Sequence, residues 1–152
     1  MEIIAWAVLR LAFAWMFLYP IKDLLADWGS TKKVVGLLTP VFPGLCAVIM
    51  LLVMLGGSLS ILLGYYAQIG GLVLCLYSIF GIKVHYKLSQ QAKAGHLSSQ
   101  VSDCDREVLA EAQALAVVGN ITSAEKNVVL AAVGFMFTLL GSGAFSLTDN
   151  IF

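Results

Sequence analysis

Between Val34 and Ile82 the chain runs for 49 residues without a Lys, Arg, Asp or Glu. As one helix, at about 1.5 Å per residue, it would extend roughly 73 Å, more than twice the ~30 Å hydrocarbon core of a bilayer. The stretch is therefore expected to cross, turn and cross back. Gly64-Tyr65-Tyr66-Ala67-Gln68 marks the turn, with a Gly and the stretch's only Gln around two tyrosines, which favour the membrane–water boundary. Pro40 and Pro43 interrupt the apolar run before it, and proline is tolerated in a helix's first turn. The second span is accordingly expected over 41–64 and the third over 67–84, where Lys83, His85 and Lys87 mark the exit.

Two further apolar runs flank this hairpin. The first, 3–21, holds Trp6, Trp15 and Tyr19 and ends at Pro20; a short interfacial extension, Lys22 to Trp28, and a turn over Gly29–Lys33 are expected after it. The last, 126–145, follows the only long polar stretch, the insert 85–125. Within that insert Ser102 and Asp105 form a capping-box pattern, and Val108, Leu109, Ala112, Leu115 and Ala116 recur at helical spacing. A short amphipathic helix is expected there, closed by Gly119-Asn120 and lying either at the membrane surface or on the mouth of the bundle. Thr122 and Glu125 then read as a second capping box opening the fourth span. The expected fold is an all-α integral membrane protein: one four-transmembrane-helix bundle with a short amphipathic helix between helices three and four.

Composition strengthens this picture. The chain of 152 residues is 60% hydrophobic and 12% charged, against about 25% charged in soluble domains. Its mean hydropathy is +0.91. Nine basic and nine acidic residues cancel, so no basic surplus points to nucleic acid. The start, Met1-Glu2-Ile3, lacks the basic region of a signal peptide, and the first run reads as a retained membrane helix. Eight of the nine Lys and Arg residues fall in the loops after the first and third spans, and none falls on the opposite side outside Arg10. By the positive-inside rule both long loops face the cytoplasm of a plasma (inner) membrane and both termini face outward.

Chemistry is less legible. Gly56, Ser60 and Gly64 lie at small-xxx-small spacing, and Gly70, Gly71, Ser78, Gly81, Gly134, Gly141 and Gly143 thin the later spans, a pattern suited to close helix packing. Arg10 is a charge within a membrane helix, which costs a few kcal/mol or more at the bilayer centre. It has three readings: snorkelling to the outer surface, an ion pair with Glu2 or Asp149, or a ligand contact. His85 and His96 are the only histidines, at a helix exit and in a loop, which disfavours a haem held between two spans. Cys46, Cys75 and Cys104 form no CxxC pair. No metal-ligand or catalytic motif such as HExxH, GxSxG, GxGxxG or a P-loop is present.

Three short motifs resemble the DoxX family. They are Leu9-Arg10-Leu11 followed by Phe17-Leu18-Tyr19-Pro20-Ile21-Lys22, then Leu62-Leu63-Gly64-Tyr65-Tyr66, then Gly141-Ser142-Gly143-Ala144-Phe145-Ser146-Leu147 with Asp149. Pro20 stands where the family usually has Gly, Met54 lies where it often has Glu, Thr148 intrudes before Asp149, and the polar insert is longer than usual. The resemblance implies a small membrane subunit linked to redox work, similar to the quinone-reducing subunit of thiosulfate:quinone oxidoreductase. It further implies that Arg10 holds a quinone or a partner carbonyl, Asp149 orients Arg10, and Lys22 anchors the cytoplasmic end. The expected function is thus an accessory or quinone-interacting subunit of a membrane oxidoreductase complex. The alternatives are a membrane scaffold, using the insert, and a small lipid or solute carrier acting as a homo-oligomer.

Overall fold

The computed structural model describes residues 2–95, 102–141, 143 and 146–148, without the side chains of 103 and 104. Six helices follow in order: α1 (Glu2–Leu18), α2 (Ile21–Ala26), α3 (Trp28–Gly36), α4 (Pro43–Leu63), α5 (Ala67–Ala94) and α6 (Asp103–Leu140). Among the described residues four helical stretches are long and apolar enough to cross a membrane: Glu2–Ala26, Pro43–Leu63, Ala67–Ala94 and Asp105–Leu140. Among the described residues there is no strand.

The expected first span, 3–21, breaks early. Pro20 lacks an N–H and its ring crowds the preceding turn, so α1 ends at Leu18. The chain restarts with Pro20 as the N-cap of α2. Asp27 (φ −111°, ψ 68°) then bends α2 into α3, and its carboxylate caps α3 by accepting from the Ser30 N–H at 3.0 Å. Residues 29–33, expected as a turn, lie inside α3. Thr31 Oγ1 donates to the Leu24 carbonyl at 2.8 Å and closes the elbow between the two short helices.

The central hairpin lies where the apolar pattern puts it. Pro43 opens α4 at its first turn. Gly64 ends it in the left-handed region (φ 67°), with the Tyr65 N–H donating back to the Ser60 carbonyl at 2.9 Å. Tyr66, also left-handed (φ 48°), leads into α5.

The larger correction concerns the insert. The structure has no separate amphipathic helix and no break at Gly119-Asn120: α6 runs unbroken for 38 residues. The Ser102 cap is present, with Ser102 Oγ accepting from the Asp105 N–H at 3.2 Å. The second capping box is not. Thr122 Oγ1 donates to the Val118 carbonyl and Asn120 Nδ2 to the Ala116 carbonyl, both one turn back, so neither terminates the helix. The third span likewise continues ten residues past 84, to Ala94. At about 1.5 Å per residue α5 and α6 run about 42 and 57 Å, so both outreach a ~30 Å apolar layer.

The core is built by Phe13 and Phe17 of α1, Met54 and Ile61 of α4, Leu74 of α5, and Leu130 and Phe137 of α6. Phe13 packs edge-on to Phe17 with centroids 5.1 Å apart and lies 5.4 Å from Phe137. Helices α5 and α6 approach closely through glycine. A Cβ on Gly71 would stand 2.7 Å from the Gly134 carbonyl oxygen, and one on Gly134 would stand 3.0 Å from the Gly71 oxygen. Backbone therefore meets backbone there. Gly57 makes room for Leu74, and Gly70 for Ser60, whereas a Cβ on Gly56 meets nothing within 4 Å. The inward-facing glycines of α4 and α5 are thus 57, 70, 71 and 81, and Gly56 lies outside the packed ladder.

Candidate functional site

Arg10 is buried within α1, 8% exposed. Its Nε donates to the Ile61 carbonyl at 2.9 Å and its Nη2 to the Leu62 carbonyl at 2.5 Å. These carbonyls belong to the last turn of α4, where the helix dipole is negative; the Ile61 oxygen also accepts from the Gly64 N–H at 3.2 Å. A planar guanidinium can serve two such oxygens at once. The position follows from register: α4 ends beside residue 10 of α1, so about two turns of α1 reach beyond it. These bonds turn Arg10 inward onto main-chain oxygens, partners that none of the three readings named. Asp149, its expected partner, lies outside the described residues.

The same end of the bundle is closed by the last described residues. The Gly64 carbonyl accepts from the Leu147 N–H at 2.9 Å, the Thr148 N–H at 3.3 Å and Ser146 Oγ at 2.7 Å. Thr148 Oγ1 accepts from the Tyr66 N–H at 2.9 Å. Gly143 (φ 70°) lies against the indole of Trp6, where a Cβ would come within 2.7 Å of the ring. Arg10 and the tail thus converge on the α4–α5 turn from two sides.

Lys22 is not part of this cluster. It lies past the Pro20 corner, in α2, with Nζ 5.0 Å from the centre of the Tyr19 ring, a cation–π distance. Arg10 and Lys22, paired by the family resemblance as site residues, are separated by the second half of α1 and the Pro20 corner: Arg10 bonds the end of α4, whereas Lys22 lies over Tyr19.

A polar seam that the sequence reading did not single out runs along the α5–α6 contact. Gln113 Nε2 donates to the Ala92 and Gly95 carbonyls. Asn120 Oδ1 lies 3.0 Å from His85 Nδ1. Asn127, 7% exposed, packs its carboxamide on Gly81. Gly134 then meets Gly71. Positions 113, 120, 127 and 134 recur every seven residues, the spacing of a two-helix coil, and polar residues at such positions fix register. Asn120 Nδ2 donates to the Ala116 carbonyl, which leaves Asn120 Oδ1 to pair with His85 Nδ1. This spacing of seven was the signal available in the sequence.

Comparison with known proteins finds no matching family model, no similar curated protein and no similar solved structure. Among the described residues no group of three or more His, Cys, Asp or Glu side chains is placed to hold a metal ion. Cys75 is buried and Cys46 half-buried, both as free thiols. His96 lies outside the described residues, as does the side chain of Cys104. The polar constellations among the described residues are a guanidinium and the segment 146–148 meeting one helix end, and a polar seam between α5 and α6.

Elsewhere α3 is fastened to the long helices by Lys87 of α5, whose Nζ donates to the Leu37 carbonyl at 2.8 Å. The Ser30 backbone bond, the Ser30 side chain and, last, the charge of Lys33 hold the exposed Asp27 carboxyl below the usual range.

Proposed function

We propose that this chain is a DoxX-like four-span protein of the plasma (inner) membrane that acts as an accessory subunit of a membrane oxidoreductase complex, holding a partner rather than performing chemistry alone. The observation that carries this reading is the α5–α6 pair. It continues past the reach of an apolar layer as a register-locked stalk, with Val108, Leu115 and Val118 exposed along it. A rigid, partly apolar projection from a membrane bundle suits holding a neighbouring subunit better than it suits turnover. The loop charges support a stalk on the cytoplasmic side with both termini outward.

The test is purification in mild detergent with mass spectrometry of the companions, repeated with Val108, Leu115 and Val118 changed to Ser. A stoichiometric oxidoreductase subunit that is lost from the triple variant is expected. A clean, companion-free protein would sink the accessory-subunit reading and favour a carrier. The quinone alternative rests on the resemblance alone, since both bonds described for Arg10 go to protein carbonyls. A co-purifying quinone that disappears on Arg10→Ala would move the weight to it. A reporter active only in the cytoplasm, fused after Phe152, is expected to stay silent.

A further inference from the structure

Helix α6 carries two seams. Gln113 and Asn120 turn to α5. At 100° per residue the opposite side of α6 holds Val108, Leu115 and Thr122, seven residues apart, and between them Glu111, Val118 and Glu125, also seven apart. The two sets alternate three and four apart, the spacing of a helix that packs on another helix. All six residues are exposed, Val108, Leu115 and Val118 by 62, 66 and 60%. From 108 to 125 this outer seam is about 26 Å long. Lys87 reaches the Leu37 carbonyl just ahead of α4, and His85 faces Asn120, so α6 before Asn120 stands beyond the start of α4. Between 105 and 119 every residue except Gln113 and Val117 is exposed.

We infer that the outer seam of α6 docks a basic amphipathic helix of a neighbouring polypeptide, whose apolar residues cover Val108, Leu115 and Val118 and whose Lys or Arg side chains meet Glu111 and Glu125. The sign of the partner follows from the seam. From 105 to 125 α6 carries Asp105, Glu107, Glu111 and Glu125 against one base, Arg106. Arg106 lies seven residues before Gln113, on the side that faces α5, so the outer side is purely acidic. The same charges exclude a second copy of the chain. Two copies in one bilayer run parallel, and in a parallel symmetric pair each seam position meets its own counterpart. Glu111 would then face Glu111 and Glu125 face Glu125, a like-charge juxtaposition that rejects self-pairing. This inference rests on the accessory-subunit reading for there being a partner, and adds the partner's shape and charge.

The experiment uses the full chain in dodecyl maltoside at fixed detergent concentration, with empty micelles as the blank. The probes are two fluorescein-labelled helical peptides of about three heptads. Both carry Leu at one seam position and Ala elsewhere; the other seam position is Lys in the basic probe and Glu in the acidic one. Fluorescence anisotropy should show saturable binding of the basic probe, roughly tenfold tighter than the acidic one, since two exposed pairs change from attraction to repulsion. High salt should shrink that preference. Glu111→Lys with Glu125→Lys should reverse it, and Glu111→Gln with Glu125→Gln should erase it, each with unchanged helicity by circular dichroism. Equal binding of the two probes, no saturable binding, or a preference that charge reversal leaves in place would overturn the inference. So would a dimer of the chain itself in sedimentation that Leu115→Glu dissolves, which would assign the seam to a second copy. An oxidoreductase that still co-purifies with the charge-reversed chain would sink this inference and leave the accessory-subunit reading standing. Probe selectivity in a companion-free chain would do the reverse.

Discussion

Replacing Gly71 by Ala tests the α5–α6 approach most directly. The new Cβ would stand 2.7 Å from the Gly134 carbonyl oxygen and 2.8 Å from Phe137 Cβ and the Thr138 nitrogen. Ordinary contact begins at about 3.4 Å, and the obstructing atoms are mostly main chain, so no rotamer change relieves them. The helices must part by about 0.7 Å. A gap of that size forfeits roughly a quarter to a half of the dispersion energy of each facing pair. Overpacking of this kind costs about 1–3 kcal/mol, while the gain in helix propensity from Gly to Ala returns at most about 1 kcal/mol. The net expectation is a loss of about 1–2 kcal/mol. Gly56→Ala is the matched control, because a Cβ there meets nothing within 4 Å, and it should be neutral or stabilising by a few tenths up to about 1 kcal/mol. Both variants can be followed by reversible unfolding with sodium dodecyl sulfate in mixed micelles, read by far-ultraviolet circular dichroism. The double variant Gly71→Ala with Gly134→Ala should cost less than the sum of the singles, since the first substitution already opens the gap the second needs. If Gly71→Ala is as stable as Gly56→Ala, the close approach is wrong.

Three other perturbations follow from the same contacts. Arg10→Met removes two charge-assisted bonds to α4 carbonyls, each worth about 1.5–3 kcal/mol, and should lower stability in the same unfolding assay by about 2 kcal/mol or more. Asn120→Leu unties His85 and should cost about 1 kcal/mol, with faster amide exchange in the α5 segment beyond His85 and unchanged exchange around Leu74. Asp27 has a folded-state pKa below its usual value, so its cap on α3 stabilises above the ordinary carboxylate range and is lost as pH falls through the lowered value. The Ser30 amide resonance should therefore titrate on the acid side of about pH 3.9, and Asp27→Asn should abolish that titration while keeping α3 folded.

Periodicity and breakers made the four apolar stretches readable. Within the central hairpin α4 came within two residues of its expected ends because Pro43 and Gly64 each act through a local, steric rule. Gly119-Asn120 misled because a glycine followed by asparagine resembles a helix end, whereas tertiary contact overrides that tendency. Asn120 turns to His85 on α5, and the helix continues through an uncrowded Gly119. The extension of α5 to Ala94 was hidden for a related reason. Its polar surface reads as loop until α6 is alongside to accept it. Glycine spacing on α4 was seen correctly, but its phase was one residue off, since Gly57 and not Gly56 faces Leu74. Arg10 stood out as a charge in an apolar run. Its partners could not, because main-chain oxygens leave no mark on a sequence.

The tail closure sets an order of assembly. The carbonyl oxygens at the end of α4 take their side-chain and tail donors in two instalments. Ile61 and Leu62 are served by Arg10, made some fifty residues earlier and already present when α4 is threaded. Gly64 waits for Ser146, Leu147 and Thr148, made more than eighty residues later. A nascent chain halted after α5 would hold its first hairpin with that carbonyl still turned to water or to a chaperone. Closing the bundle is then a late checkpoint, reached only when residue 148 has left the ribosome, and a stalled series carrying a linker long enough to clear the exit tunnel, sampled for protease resistance, would show protection of the Gly64–Tyr66 turn arriving in a single late step.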